Sequence, residues 1–270
     1  MSTAGARLDD LVRIMATLRG PDGCPWDRVQ TLATLRPFLL EETYEALEAL
    51  DAGDHPGLCE ELGDLLFEIV FLARIAEERG DFTIADAIDG VASKLVRRHP
   101  HVFGDADKLS KAEHVRGRWE ELKAAERAGS DKTRKQTLLS GVPITLPALL
   151  RAYEYSSRAA TVGFDWVKAA DVLDKMEEEL REIREAVGQV GAGSDGLGRV
   201  EDEVGDLLFA IANLSRKLGV EPEAALRRAN DKFRARFTAV EQRIEARGER
   251  LQEKTLEELE AEWQDVKRPE

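Results

Sequence analysis

Apolar residues recur along most of the chain at spacings of three and four, the period of an α-helix, and strand-like alternation is weak throughout. This period predicts a first helix over 8–18, broken by Gly20-Pro21-Asp22-Gly23 and followed by a loop through Cys24-Pro25-Trp26-Asp27. A second helix is expected to start within 31–35 and run to 50, with a turn over 51–57. A third covers 58–78, ended by Gly80 and Asp81, and a fourth covers 83–98, stopped by Pro100. Residues 105–128 read as a further helix, 137–147 as a turn-rich stretch with Gly141, Pro143 and Pro147, and 148–160 as helix again. The second half predicts helices over 169–187, 200–218 and 222–246, a glycine-rich loop over 188–198 and a last amphipathic segment over 255–267. The fold class is all-α.

The order of these elements repeats. Glu60-Glu61-Leu62-Gly63-Asp64-Leu65-Leu66-Phe67 matches Asp202-Glu203-Val204-Gly205-Asp206-Leu207-Leu208-Phe209. Upstream of each lies an acidic run, Glu41-Glu42-Thr43-Tyr44-Glu45 and Glu178-Glu179-Leu180-Arg181-Glu182. Downstream of each lies a basic run, 94–98 and 232–236. A duplicated helical module explains the pattern with the fewest assumptions. The expected division is a module over 1–108, a helical linker over 109–165 and a second module over 166–270.

Composition narrows the class. Charged residues make up 34% of the 270 and aromatics 6%, a balance that favours helices over sheets. The net charge of −14 argues against a general nucleic-acid binder, whose surface must be cationic. No run approaches the roughly 18 apolar residues of a membrane span. The first ten residues lack the apolar centre of a signal peptide, so a cytoplasmic protein without membrane attachment is expected. Cys24 and Cys59 show no metal-type spacing and read as reduced thiols.

The candidate chemistry lies in the acidic runs. Residues three or four apart share a helix face, so Glu42 and Glu45 point together, as do Glu41 and Glu45, and Glu61 and Asp64 on the next helix. Glu179 with Glu182 and Glu203 with Asp206 repeat the arrangement. Like charges so placed cost about 0.2–0.5 kcal/mol per pair in an isolated helix. A solvated acidic face is the ordinary explanation of one such run. Against it, Glu61 and Asp64 are embedded among Leu62, Leu65, Leu66, Phe67, Ile69 and Val70, on a helix apolar enough to be expected buried, and Asp206 has a similar setting. Buried carboxylates need a partner, and a cation is the obvious one. Gly63 and Gly205, beside the acids, suggest close approach of a helix or ligand.

An all-oxygen set selects Mg²⁺, Mn²⁺ or Ca²⁺. A di-iron bundle would place His where each second pair here has Asp. His99 and His101, flanking Pro100, fit a turn better than a zinc site. Bound cations would also reverse the local potential, so that an acidic chain could hold a polyphosphate. Lys94, Arg97 and Arg98, or Lys232, Arg234 and Arg236, would either meet the remaining phosphate charge or simply face solvent.

These strings, together with Arg97-Arg98-His99-Pro100-His101-Val102-Phe103, Val162-Gly163-Phe164-Asp165-Trp166 and Trp263-Gln264-Asp265-Val266-Lys267, resemble the MazG family of all-α nucleoside triphosphate pyrophosphohydrolases. The resemblance covers almost the whole chain in order. It implies hydrolysis of a nucleoside triphosphate to the monophosphate and pyrophosphate, with water attacking the α-phosphorus, and an intertwined homodimer. It also implies Mg²⁺ as cofactor, with Mn²⁺ a substitute, and clearance of non-canonical nucleotides as a role. Carried onto this sequence, it makes Glu179, Glu182, Glu203 and Asp206 metal ligands, and likewise Glu42, Glu45, Glu61 and Asp64. Glu178 and Glu41 become the carboxylates that take the water's proton. Lys175, Glu178, Lys232 and Arg236 would surround the nucleotide, with Lys94, Arg97 and Arg98 in the first module. Trp263 would stack on the base, or else serve helix packing. One position departs from the family pattern: Ala235 stands where the first of two paired arginines is usual, which puts phosphate affinity in the second module in question. A reading of another class is a non-catalytic helical scaffold that binds nucleotides or partners only.

Overall fold

The computed structural model describes residues 3–104, 137–190 and 196–267, and every regular element among them is helical. The chain divides into two compact units, Met1–Ser130 and Asp131–Glu270. The helix expected over 105–128 lies outside the described residues.

In the first unit the helices are α1 (Ala4–Leu18), α2 (Pro25–Val29), α3 (Arg36–Ala52), α4 (His55–Glu78), α5 (Ile84–Arg98) and the short α6 (Pro100–Phe103). Helix α1 starts four residues earlier than the apolar period suggested, because the Thr3 hydroxyl caps it by accepting from the Ala6 amide. Gly53 closes α3 at φ 68°, a left-handed conformation that favours glycine, and Asp54 then caps α4. A reciprocal Thr83–Asp86 capping box opens α5. Helices α1 and α3 both pack on α4. Met15, Leu35, Val70, Phe71 and Ile75 meet there as the core.

Arg19 fastens the end of α4 to the loop after α1. Its guanidinium donates to both Glu78 oxygens and to the Asp27 and Gln30 carbonyls, and lies 5.5 Å from the Phe71 ring centre. The segment expected to be loop around Cys24-Pro25-Trp26-Asp27 therefore includes one short helix, α2, held from below by a buried arginine.

The second unit contains α7 (Ala148–Ala160), α8 (Ala169–Gln189), α9 (Gly196–Leu218), α10 (Pro222–Ala246), a 3₁₀ turn (Leu251–Glu253) and α11 (Leu256–Lys267). Helix α8 pairs with α9 as α3 does with α4, and α7 packs on α9 within this unit. Asp165 accepts from Arg216 and from Lys217 at 3.0 Å, tying the segment 162–166 to the end of α9. Arg247 and Arg243 both reach Glu262 and hold α11 against α10. Among the described residues no helix is long and apolar enough to cross a membrane.

Two expectations are corrected. Helix α4 is not buried along its length: its second half holds the core, but Leu62, Leu66 and Ile69 are 54%, 40% and 47% exposed, and Asp64 is exposed too. Helix α9 behaves alike, with Leu208 and Phe209 exposed. Periodicity records which positions are apolar, not what covers them. Nor do the helical glycines mark a close approach among the described residues, since a Cβ at Gly63 or Gly205 would meet none of their atoms within 4 Å.

Candidate metal centre

The first unit's acids come from adjacent helices. Phe38, Glu42, Glu45 and Ala49 lie at spacings of four, three and four on α3, one continuous stripe. On α4 the facing stripe is Glu61, Asp64, Glu68, Phe71 and Ile75. It is acidic at one end and merges into the core at the other. Pairing α3 with α4 brings carboxylate oxygens of Glu42, Glu45 and Glu61 within 4.8 Å of one another. Asp64 is not in that trio but stands near enough to raise the pKa of Glu42.

The second unit repeats this at the equivalent positions. Oxygens of Glu179, Glu182 and Glu203 lie within 4.8 Å of one another, with Asp206 outside the trio. Here Lys175, where the first unit has Phe38, bridges Glu179 at 2.8 Å and Glu178 at 3.1 Å. Those two contacts hold the Lys175 ammonium well above its ordinary pKa. Glu179 is 3% exposed, and its second oxygen has no hydrogen-bond partner among the described residues. A buried carboxylate oxygen left open beside two more carboxylates is a poor structural feature and a good cation ligand.

The electrostatics agree with that description. Burial pushes Glu42 up first, and Asp64, Glu45 and Glu61 add to it. Burial followed by Glu45 and Asp64 raises Glu61, while burial followed by Glu203 and Glu179 raises Glu182. A carboxylate raised in the folded state binds protons more tightly there than in the unfolded chain. Its contribution therefore falls as pH rises from the ordinary value of 4.5 through the raised one. Glu78, which Arg19 holds below the ordinary range, has the opposite sense and loses its contribution only below 4.5. The cation-free protein is thus expected to melt at a higher temperature as pH falls from neutral toward 4.5. Thermal melts in chelator across that window check this, and a melting temperature that declines steadily over it contradicts the assignment.

The other predicted residues are placed as follows. Glu41 is exposed, and Glu178 is exposed and bound to Lys175. Lys94 and Arg97 are exposed on α5, with Arg98 half-buried. On α10 Lys232 is exposed, Arg236 is half-buried, and Arg234 is engaged by Asp231 at 3.2 Å. Trp263 packs on Phe233, ring centres 5.2 Å apart, beside Lys232. His99 closes α5, its Nδ1 2.7 Å from the Leu95 carbonyl oxygen. An apolar cavity of about 410 Å³ in the second unit, lined by Leu138, Tyr155, Phe164, Trp166 and Phe209 among others, includes none of the carboxylates.

One residue escaped the sequence pattern. Glu68 is 4% exposed, one oxygen has no hydrogen-bond partner among the described residues, and burial, then Glu42 and Asp64, raises its pKa. Its signal was its spacing of seven from Glu61 and four from Asp64.

Residues 30–103 match the family model of the MazG nucleotide pyrophosphohydrolase domain. Over 265 residues the chain is 45% identical to a nucleoside triphosphate pyrophosphohydrolase of Escherichia coli, covering 98% of each. It is 44% identical over 267 residues to a nucleoside triphosphate pyrophosphohydrolase/pyrophosphatase of Thermotoga maritima, covering 99% of this chain and 98% of that one. A Bacillus subtilis protein called YabN is 42% identical over 257 residues, 95% of this chain and 51% of YabN.

Proposed function

Because the chain belongs to the MazG nucleotide pyrophosphohydrolase family, we propose that it hydrolyses nucleoside triphosphates to nucleoside monophosphates and pyrophosphate at Mg²⁺-dependent sites. The observation that carries this is the pair of equivalent glutamate trios, each within 4.8 Å, one of them including a buried oxygen without a partner. The donor set is all oxygen and fits Mg²⁺, or Mn²⁺ in its place. Glu179, Glu182, Glu203 and Asp206 hold the cation in the second unit, and Glu42, Glu45, Glu61 and Asp64 hold it in the first. When bound, the cation offsets phosphate charge and makes coordinated water more acidic.

The chain's own groups do the rest. Glu178 and Glu41 accept the proton of the water that attacks the α-phosphorus. Lys175 already lies against Glu178 and Glu179. It supplies an ammonium for the triphosphate, and Lys232 and Arg236 carry more of its charge. Trp263 and Phe233 offer an aromatic surface to the base. Lys94, Arg97 and Arg98 serve the first unit as Lys232 and Arg236 serve the second.

The test is to incubate the protein with a panel of canonical and non-canonical triphosphates and Mg²⁺ and to follow both products. Pyrophosphate should appear first and stop with chelator. Orthophosphate alone would sink the proposal.

The active form is a homodimer. Leu62, Leu66 and Ile69 follow i, i+4, i+7 spacing as an exposed apolar stripe beside the acids, and Leu40 and Tyr44 on α3 are exposed as well. A second copy of the chain is the proposed cover. Sedimentation should give twice the chain mass, and Leu66→Glu should shift it toward monomer. Wild-type protein that sediments as a monomer at micromolar concentration rules the dimer out.

A further inference from the structure

Beside the carboxylates the facing stripes of the two units differ at one position on each helix. The first unit has Phe38 where the second has Lys175, and Glu68 where the second has Ala210. The first site therefore has one carboxylate more and one ammonium fewer. Glu68 is the deepest of the acids on α4, at the junction of the acidic stripe and the core. It is 4% exposed and its Oε2 has no hydrogen-bond partner, whereas the equivalent Ala210 is buried with nothing polar to satisfy. Ionised and unpaired, such a group is among the costlier things a core can contain. Its face on α4 is that of Glu61 and Asp64, and α4 packs on α3, which carries Glu42.

We infer that Glu68 is a further divalent-cation ligand peculiar to the first unit, holding a cation with Glu42 and Asp64 one helical turn deeper than the Glu42–Glu45–Glu61 trio. Asp64 and Glu68 stand outside that trio; Glu42 and Asp64 are shared between the two cations, and the open Oε2 of Glu68 is the oxygen that the deeper one adds. The second unit lacks this position, because Ala210 offers no oxygen. The inference rests on the proposed reading of the acidic groups as cation sites.

The experiment uses the full chain with Glu179→Gln and Glu203→Gln, so that the first unit is the one left to bind. Mn²⁺ binding is followed by calorimetry and by the loss of the free-ion electron paramagnetic resonance signal. In that background, Glu68→Gln is expected to remove one Mn²⁺ equivalent or weaken it by about tenfold or more. The cation-free melting temperature should hold or rise, and the gain on adding Mn²⁺ should shrink. Glu68→Ala, which copies the second unit, should do the same and guards against a defect special to glutamine. Circular dichroism confirms folding of each. Unchanged Mn²⁺ stoichiometry and affinity in both variants overturns the inference and leaves the proposed function standing. A background that binds no Mn²⁺ while the wild type does also overturns it. If the wild type itself binds none, the cation reading of both units fails, and the inference with it.

Discussion

Replacing Glu42 and Glu179 together by glutamine is expected to cut pyrophosphate release by about 10³-fold or more while leaving the helical content unchanged. Each substitution keeps side-chain volume and removes one charge from the centre of an oxygen cluster. A divalent ion contributes several kcal/mol of transition-state charge stabilisation, and each ~1.4 kcal/mol is tenfold in rate. Loss of a ligand that helps hold the ion therefore reaches about three decades. The loss should sit in kcat as well as KM, because charge builds on the bridging oxygen of the leaving pyrophosphate in the transition state. In the cation-free protein Glu42→Gln alone relieves like-charge repulsion, so the melting temperature of that single variant should not fall, whereas Glu179→Gln also gives up the Lys175 contact. A double variant that keeps activity within tenfold of wild type contradicts the assignment. The single variants then divide the activity between the units. Glu179→Gln tests the site that contains Lys175, and Glu42→Gln tests the more acidic one.

That division is needed because duplication preserved the acids better than their surroundings. Helix boundaries were legible at some of the glycines and prolines that interrupt an apolar period, though α4 takes in Pro56 and Gly57 from the expected turn over 51–57, and α9 takes in Gly196 and Gly198 from the expected loop over 188–198. Gly53 before Asp54, Gly80 after α4 and Pro222 at the start of α10 all stand at real ends. The spacing of Glu42 with Glu45 was equally legible, since a helix alone puts them on one side. How the acids divide among neighbours was not. A residue three along a helix is displaced by 60° in the opposite sense to one four along, at roughly 100° per residue. That spacing alone does not decide the trios: Glu42 and Glu45, three apart, both belong to one, whereas Asp64, three from Glu61, and Asp206, three from Glu203, do not. Glu68 was obscured by its neighbours, a single acid amid Leu65, Leu66, Phe67, Ile69 and Val70. Its significance depends on the depth at which α3 crosses α4. The exposure of Leu62, Leu66 and Ile69 was out of reach for a related reason, since an apolar stripe looks the same whether its cover is the same chain or another copy.

The core beneath the first site provides the second large effect. Phe71→Ala should destabilise the first unit by about 3–5 kcal/mol, the usual cost of truncating a buried phenylalanine. Phe71 is fully buried in the Met15, Leu35, Val70 and Ile75 cluster, and its ring lies 5.7 Å from that of Phe67. It also lies under the Arg19 guanidinium, which ties Glu78 to the Asp27 and Gln30 carbonyls. The cavity left by the ring therefore removes apolar contacts and the surface on which that cation rests. Phe71 is one turn below Glu68 on the stripe that carries Asp64 and Glu61, so the packing that it secures also sets the spacing of α3 and α4. Chemical denaturation followed by circular dichroism should show an early transition from the first unit, with the second unit's transition in place. Cation binding by the first unit should weaken in parallel, and a Phe71→Leu variant should recover most of both losses. If Phe71→Ala shifts the first transition by less than 1 kcal/mol, the α1–α3–α4 core is not what holds the acidic stripes together.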